Sequence, residues 1–356
     1  VICGHGGNIY ELARRLKCQP FDIIDMSSNV NPSGPPPGLT EFLKENISAM
    51  IALPEADAGK AVCAFANRYE INPKCVLAGN GTTQFIYAIP KAIGTKSALI
   101  VGPTYSDYAD ACAMHDISYA YSLTQASRNF MPDLNQIQKD MQSADTISIC
   151  NPNNPTGVLI PSDQLESLCR AFPQKTFMID ESYLPFVRDA EKHSFIARGI
   201  ENVIVLNSMS KIFRVPGLRI GFVAAPERII SKLTRYALPW SVNSLAQAAV
   251  IWLMTNRPEI DAFIENTRML LEVERTAFAQ KLSLSRHLKL FPSETSFVLA
   301  ELSGYYKASE ICEALANAGI LIRNCANFAG LSEKFIRVSL KTSEINCMIA
   351  ERLLAL

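Results

Sequence analysis

The chain has 356 residues, 48% of them hydrophobic, and its 34 basic and 34 acidic side chains give a formal net charge of zero. That length carries a large core and two or three domains, and the balanced charge lacks the basic footprint of a nucleic-acid binder. No apolar run approaches the ~20 residues that span a membrane, and no basic flank with an apolar core marks a secretory leader. Ten cysteines without close Cys-x-x-Cys pairs read as reduced thiols of a cytoplasmic protein. Four histidines without ligand spacing give no expectation of a metal site.

In chain order, Cys3-Gly-His5-Gly-Gly-Asn8 leads into a helix expected from Ile9 to Lys17. A short strand and turn follow, Ile23-Ile-Asp-Met-Ser-Ser-Asn29-Val-Asn31-Pro32. The glycines allow close backbone approach, and His5, Asn8 and Asn29 offer donors suited to an anion. After the proline-rich turn Pro32–Pro37 a linker helix is expected. Val76-Leu-Ala-Gly-Asn80-Gly-Thr-Thr-Gln84 reads as strand, glycine turn and helix start, with the N–H groups of Thr82 and Thr83 facing an anion. The strand Ala98–Val101 ends at Gly102-Pro-Thr-Tyr105-Ser-Asp-Tyr108. Ile147–Cys150 is closed by Asn151-Pro-Asn-Asn154-Pro-Thr-Gly157, and Phe177-Met-Ile-Asp180-Glu-Ser-Tyr183 is a strand ending in an acid.

Val203-Ile-Val-Leu206 is a buried strand that delivers Asn207-Ser-Met-Ser-Lys211, a Pro216-Gly217 turn, Arg219 and a second apolar run from Ile220. Low dielectric at a strand end disfavours the charged lysine and makes Lys211 a usable amine. Ser208, Ser210 and Arg219 suit a phosphate. An amine beside a phosphate cradle is the layout that pyridoxal 5'-phosphate needs. Asp180 can pair with its protonated pyridine nitrogen, and Asn154 and Tyr183 can both bond its phenolic oxygen. Each motif alone also reads as an ordinary cap or turn. Together, each at a strand's carboxyl end, they mark the edge where ligands of parallel sheets gather. From Leu238 the pattern turns helical through about Lys281. Strands at Ser296–Ala300, Ile320–Arg323 and Phe335–Ser339 then flank a helix from Ala308 to Ala318. Arg323 and Arg337 sit on these apolar strands, where an unpaired charge is costly.

The order Asn-Pro-Asn-Asn-Pro-Thr-Gly, Asp-Glu-x-Tyr, Ser-x-Ser-Lys, Gly-Leu-Arg-x-Gly resembles the fold-type I pyridoxal-phosphate enzymes, and within them the histidinol-phosphate aminotransferase branch, from His5 to about Val338. The resemblance implies an α/β fold: a large domain with a mostly parallel seven-stranded sheet sandwiched by helices, plus a small α/β domain from both termini. The apolar pattern by itself shows six or so runs. The expected division is an N-terminal segment over 1–45, a large cofactor-binding domain over 46–255 and a small domain over 256–356. By likeness Lys211 binds the cofactor covalently, Asp180 faces the pyridine nitrogen, Asn154 and Tyr183 hold the ring oxygen and Tyr105 stacks on the ring. Gly81, Thr82 and Thr83 match the cofactor-phosphate loop, joined by Ser208, Ser210 and Arg219. Leu53 stands where the family has a tyrosine that reaches the cofactor of a neighbouring subunit, so one such contact is missing or replaced while a homodimer is still expected.

Three stretches narrow the likeness: His5-Gly-Gly-Asn8 with the Ser-x-Asn29-x-Asn-Pro turn, Pro239-Trp-Ser-Val-Asn243, and Ile320-Leu-Ile-Arg323-Asn-Cys-Ala-Asn327. They resemble the threonine-phosphate decarboxylases of cobalamin biosynthesis, in which the N-terminal segment folds over the site and touches the substrate phosphate. That likeness places His5, Asn29 and Arg323 on a phosphate, with Arg337 on the α-carboxylate and Asn154 beside the substrate. The implied activity is decarboxylation of L-threonine O-3-phosphate. The alternatives are amino transfer on histidinol phosphate or a related phosphorylated amine, which uses the same motifs, and a catalytically silent cofactor-binding scaffold.

Overall fold

The computed structural model describes residues 6–355. The chain begins with a helix over Ile9–Leu16, ended by Lys17 in the left-handed region at φ 56°. Asn8 starts it: Oδ1 accepts the Glu11 N–H at 3.3 Å and Nδ2 donates to Glu11 Oε2 at 2.7 Å. Asn8 is therefore a helix cap, not the anion donor expected from its glycine-rich surroundings.

β1 (Ile24–Asp25) comes next, and the proline-rich turn leads to a helix over Leu39–Glu45. The strands β2 (Val76–Asn80), β3 (Ser97–Gly102), β4 (Ser118–Leu123), β5 (Thr146–Cys150), β6 (Thr176–Asp180), β7 (Val203–Ser208) and β8 (Ile220–Ala224) then build one seven-stranded sheet, ordered β2-β8-β7-β6-β5-β3-β4. All run parallel except β8, which is antiparallel to both neighbours. The central strands β5 and β7 are buried at every position, as strands covered on both faces must be. Edge strand β4 is mostly exposed and mixes serine and tyrosine, which is why it escapes an apolar-run count.

Parallel strands bring their carboxyl ends to one edge, and Gly81, Tyr105, Asn154, Tyr183 and Lys211 each follow a different one. Because β8 runs the other way, Arg219 reaches that same edge from the strand's start.

The helical stretch expected to run to about Lys281 is two helices, Ser244–Thr255 and Arg257–Leu282. The break falls at Asn256, whose Nδ2 returns to Trp252 O at 2.7 Å, ahead of Pro258, which has no N–H to give. β9 (Leu288–Leu290), β10 (Phe297–Leu302), β11 (Ile320–Leu321), β12 (Arg323–Asn324) and β13 (Phe335–Ser339) complete the chain with a helix over Ser343–Leu354. Four of them form an antiparallel sheet ordered β12-β13-β10-β9, while β11 pairs in parallel with β1, so both ends of the chain build one unit. The run Ile320–Arg323, expected as one strand, changes partner at buried Ile322. That change sets Arg323 directly opposite Arg337 across an antiparallel pair. No helix among the described residues is long and apolar enough to cross a membrane.

Candidate active site

At the carboxyl edge of the large sheet lies a cavity of about 170 Å³. Of the residues expected at the site, Asn29, Thr82, Thr83, Tyr105, Asn154, Asp180, Tyr183, Lys211, Arg323 and Arg337 line it. Gly81, Ser208, Ser210 and Arg219 are at the same edge but outside its wall. His5 lies outside the described residues.

Lys211 is carried on the short helix Met209–Ile212 directly after β7. Its carbonyl accepts the Asn31 N–H at 2.9 Å, tying the N-terminal turn to the lysine. Burial, followed by the nearby positive charges of Arg337 and Arg219, lowers its pKa from 10.5 to about 8. Facing it from β6, Asp180 is 5% exposed; Oδ2 accepts the Tyr108 hydroxyl at 2.7 Å and Oδ1 accepts the Ser182 N–H at 2.9 Å. Burial and the Asp180 charge hold the Tyr108 phenol well above its ordinary pKa, so it stays a donor.

Asn29 Nδ2 donates to the Tyr183 hydroxyl at 3.3 Å, and Asn29 Oδ1 accepts the Ser339 hydroxyl at 2.7 Å. Burial pushes Tyr183 up to about 12. Tyr105 hydrogen-bonds to Thr83 and meets Tyr108 edge-on at 6.1 Å.

The phosphate-cradle candidates form a contiguous group. The helix Gly81–Ile93 starts without a side-chain cap from Asn80, whose Nδ2 instead donates to Ser241 O at 3.2 Å. Gly81 has φ 73°, and a Cβ there would stand 2.8 Å from Arg219 Nη2, so the guanidinium covers the glycine. Ser208 pairs in register with Gly221, where a Cβ would stand 2.6 Å from Thr82 N. Strand β8 thus presses close to the helix start because residue 221 has no side chain.

Arg337 is 4% exposed. Its Nη1 donates to Asn154 Oδ1 and its Nη2 to Ser27 O, while Nε has no hydrogen-bond partner among the described residues. Arg323 donates to Asn327 Oδ1 at 2.6 Å and stacks 5.2 Å over the Phe328 ring. Desolvation, then the Arg337 charge, lowers the Arg323 pKa, as two like charges facing one cavity require.

The expectations missed Tyr108, Ser27, Ser28, Ser182 and Phe328, all of which line the cavity. Tyr108 carries a signal: it lies three residues after Tyr105, in the first turn of the helix Asp107–Met114 that follows β3. Ser27 and Ser28 follow Asp25 at the spacing of a carboxylate-capped turn. Nothing in the local sequence marks Phe328.

The chemistry of this donor set suits pyridoxal phosphate: a half-buried amine near neutrality, a buried acid locked by a tyrosine, an aromatic side chain, and a helix start covered by an arginine. Comparison with known proteins agrees. Residues 22–353 match the family described as aminotransferase class I and II. The chain is 31% identical over 352 residues to the adenosylcobalamin biosynthesis bifunctional protein CobDQ of Leptospira interrogans, covering 98% of this chain but only 40% of that protein. It is 29% identical to the threonine-phosphate decarboxylase of Salmonella typhimurium, covering 99% of this chain and 94% of that one. Among solved structures, the histidinol-phosphate aminotransferase of Clostridium acetobutylicum superposes with a TM-score of 0.85 at 26% identity, over 93% of this chain and 98% of that one.

Fold and site together define a pyridoxal-phosphate enzyme with the aspartate aminotransferase architecture. The chain belongs to the class I and II aminotransferase family.

Proposed function

We propose that this enzyme decarboxylates L-threonine O-3-phosphate to aminopropan-2-ol O-phosphate, for the side chain of cobalamin. The observation that carries the reading is the cross-strand pair Arg323 and Arg337, facing one cavity with Lys211. Two fixed guanidiniums suit a small amino acid that carries two separate anionic groups. The name of the Salmonella relative supports this substrate, and that of the Leptospira relative supports a place in adenosylcobalamin biosynthesis.

The bound cofactor supplies an aldehyde that joins an amine and a ring that withdraws electrons from the adjoining carbon. In this reading Lys211 binds the aldehyde, Asp180 pairs with the pyridine nitrogen, and Asn154 and Tyr183 take the ring oxygen. Tyr105 stacks on the ring, while Gly81, Thr82, Thr83, Ser208, Ser210 and Arg219 hold the phosphate. Tyr108 and the Ser182 N–H keep the Asp180 carboxylate oriented. Arg337, whose buried Nε has no hydrogen-bond partner among the described residues, takes the substrate carboxylate. Arg323, His5 and the remaining Nδ2 proton of Asn29 take the substrate phosphate. Anchored at both anions, the substrate has its torsion about the amine-bearing carbon fixed, and that torsion selects the bond to break. The placement of the two anions by Arg337 and Arg323 would decide whether the carboxylate or the hydrogen is the group lost from that carbon. Lys211 Nζ, whose pKa is lowered to about 8 so that both its neutral and charged forms are populated there, is the group placed to move a proton at that carbon.

Incubating the holoenzyme with O-phosphothreonine while measuring both carbon dioxide and keto acid tests the assignment. Carbon dioxide without matching keto acid is expected. Keto acid without carbon dioxide would replace the reading with an aminotransferase of the histidinol-phosphate type, which the Clostridium structure favours. The retained Lys211, Asp180 and Arg337 argue against a silent scaffold.

A homodimer belongs to the same proposal. Ile47, Met50, Ile51 and Leu53 are 52%, 69%, 85% and 77% exposed, beside equally exposed Leu238 and Trp240. Trp240 N donates to Ala56 O at 2.9 Å, so the two segments form one apolar patch, and Ser241 links it to Asn80 at the cofactor-phosphate turn. Light scattering is expected to give twice the chain mass, and an active monomer at assay dilution would overturn the proposal. The unpaired cysteines of the described residues support a reducing, cytoplasmic setting.

A further inference from the structure

We infer that Asp25 is a positioning residue: through the Ser27–Ser28 turn it sets the direction of the Arg337 guanidinium and hence the pose of the substrate carboxylate. The inference rests on the reading of Arg337 as the carboxylate-binding group.

Arg337 is held at two points, Asn154 Oδ1 on one side and the Ser27 carbonyl on the other. A carbonyl directs a guanidinium only if its own peptide is fixed. Here it is fixed by Asp25, whose carboxylate accepts four hydrogen bonds from the next residues. Oδ1 takes the Ser27 N–H at 2.9 Å, the Ser27 hydroxyl at 2.7 Å and the Ser28 N–H at 3.1 Å, and Oδ2 takes the Ser28 hydroxyl. Asp25 is itself anchored by its β1 register with Leu321, two residues before Arg323. The turn therefore hangs from the strand that leads to the second arginine.

The same turn carries the segment above it. Ser27 Oγ accepts the Gly7 N–H at 2.7 Å, and a Cβ on Gly6 would stand 2.6 Å from Ser27 O. The oxygen that Arg337 uses is thus enclosed by backbone on its other side. The Asp25 charge also reaches Arg337 and Lys341, the latter 8% exposed, in a region otherwise rich in cations. Charge and turn geometry are separable, because an asparagine at this position keeps an acceptor oxygen for the three Oδ1 bonds and turns its amide to the Ser28 hydroxyl.

The experiment compares Asp25→Ala and Asp25→Asn holoenzymes with the wild type. Cofactor content and visible absorption are read first, then KM and kcat for O-phosphothreonine, and then inhibition by 2-aminoethyl phosphate, which has no carboxylate. Asp25→Ala is expected to keep its cofactor, raise KM about tenfold, the equivalent of ~1.4 kcal/mol, raise the share of keto acid, and leave inhibition by the carboxylate-free amine unchanged. Asp25→Asn should recover most of the loss. An unchanged KM in Asp25→Ala overturns the inference, as does a loss that tracks missing cofactor or that extends equally to 2-aminoethyl phosphate. Asparagine as impaired as alanine also overturns it, because the charge and not the turn would then be responsible. If wild type releases no carbon dioxide, the decarboxylase reading fails separately, and the KM comparison is made on whichever amino acid the enzyme turns over.

Discussion

Lys211→Ala is expected to abolish turnover and to remove the visible absorption of lysine-bound cofactor, leaving at most cofactor held without a covalent link. The lysine is the amine in the cavity wall, and it lies on a four-residue helix directly after a strand buried at every position. Its side chain faces a cavity rather than the packed core, so truncation should leave the sheet intact, and circular dichroism can confirm that. The pH dependence is a second, independent reading. Burial and the charges of Arg337 and Arg219 bring the amine to about 8, and only the neutral form attacks an aldehyde. Capture of added pyridoxal phosphate by cofactor-free protein should therefore rise with pH and be half-maximal near about 8, rather than near the 10.5 of an ordinary lysine. A fully active alanine variant would show that another residue does this work, and capture half-maximal near 10.5 would show that the site does not lower the pKa of the amine.

The second large effect separates the two arginines. Charge-assisted hydrogen bonds to a desolvated anion contribute roughly 1.5–3 kcal/mol, equivalent to about one to two orders of magnitude in binding. Arg323→Ala should weaken use of O-phosphothreonine by that amount and leave the already poor turnover of threonine almost unaffected. Arg337→Ala should damage every amino-acid substrate, because the carboxylate is common to all. Its side chain is buried and bonded to Asn154 and to the Ser27 carbonyl, so some loss of stability should accompany the change. Thermal denaturation separates that loss from the kinetic one. Equal damage to threonine and phosphothreonine in Arg323→Ala would mean that the two roles have been assigned to the wrong residues.

Much of the large sheet and its carboxyl edge is legible in the sequence because buried parallel strands are short continuous apolar runs, several of them followed by a candidate site residue, although the count of seven strands comes from the family resemblance. Lys211, Asp180 and Asn154 could be placed from that pattern, and the structure sets all three around one cavity. Strand β4 left no such run, being exposed and half polar. The division of Ile320–Arg323 between two sheets was also invisible, since a change of strand partner depends on distant residues, Ile24 and Arg337, and not on local composition. Side-chain partnerships were the least legible. Tyr108 joins Asp180 across 72 positions, and Asn29 joins Ser339 across 310. Residue types suggested donors for an anion at Asn8 and Asn29; the local contact with Glu11 makes the first a helix cap, while the second lines the cavity with one Nδ2 hydrogen bond to Tyr183.

The cross-strand placement of Arg323 and Arg337 has a practical consequence for anyone handling the enzyme. Two like charges brought together by a fixed register repel whenever no counter-charge lies between them, and the fold cannot relax this by separating the strands. Part of that repulsion would be released when an anion enters, so small oxyanions present in excess are expected to compete with a substrate that is bound through the same pair. Phosphate and sulfate buffers will thus act as competitors, and an affinity measured in them will describe an exchange of one anion for another.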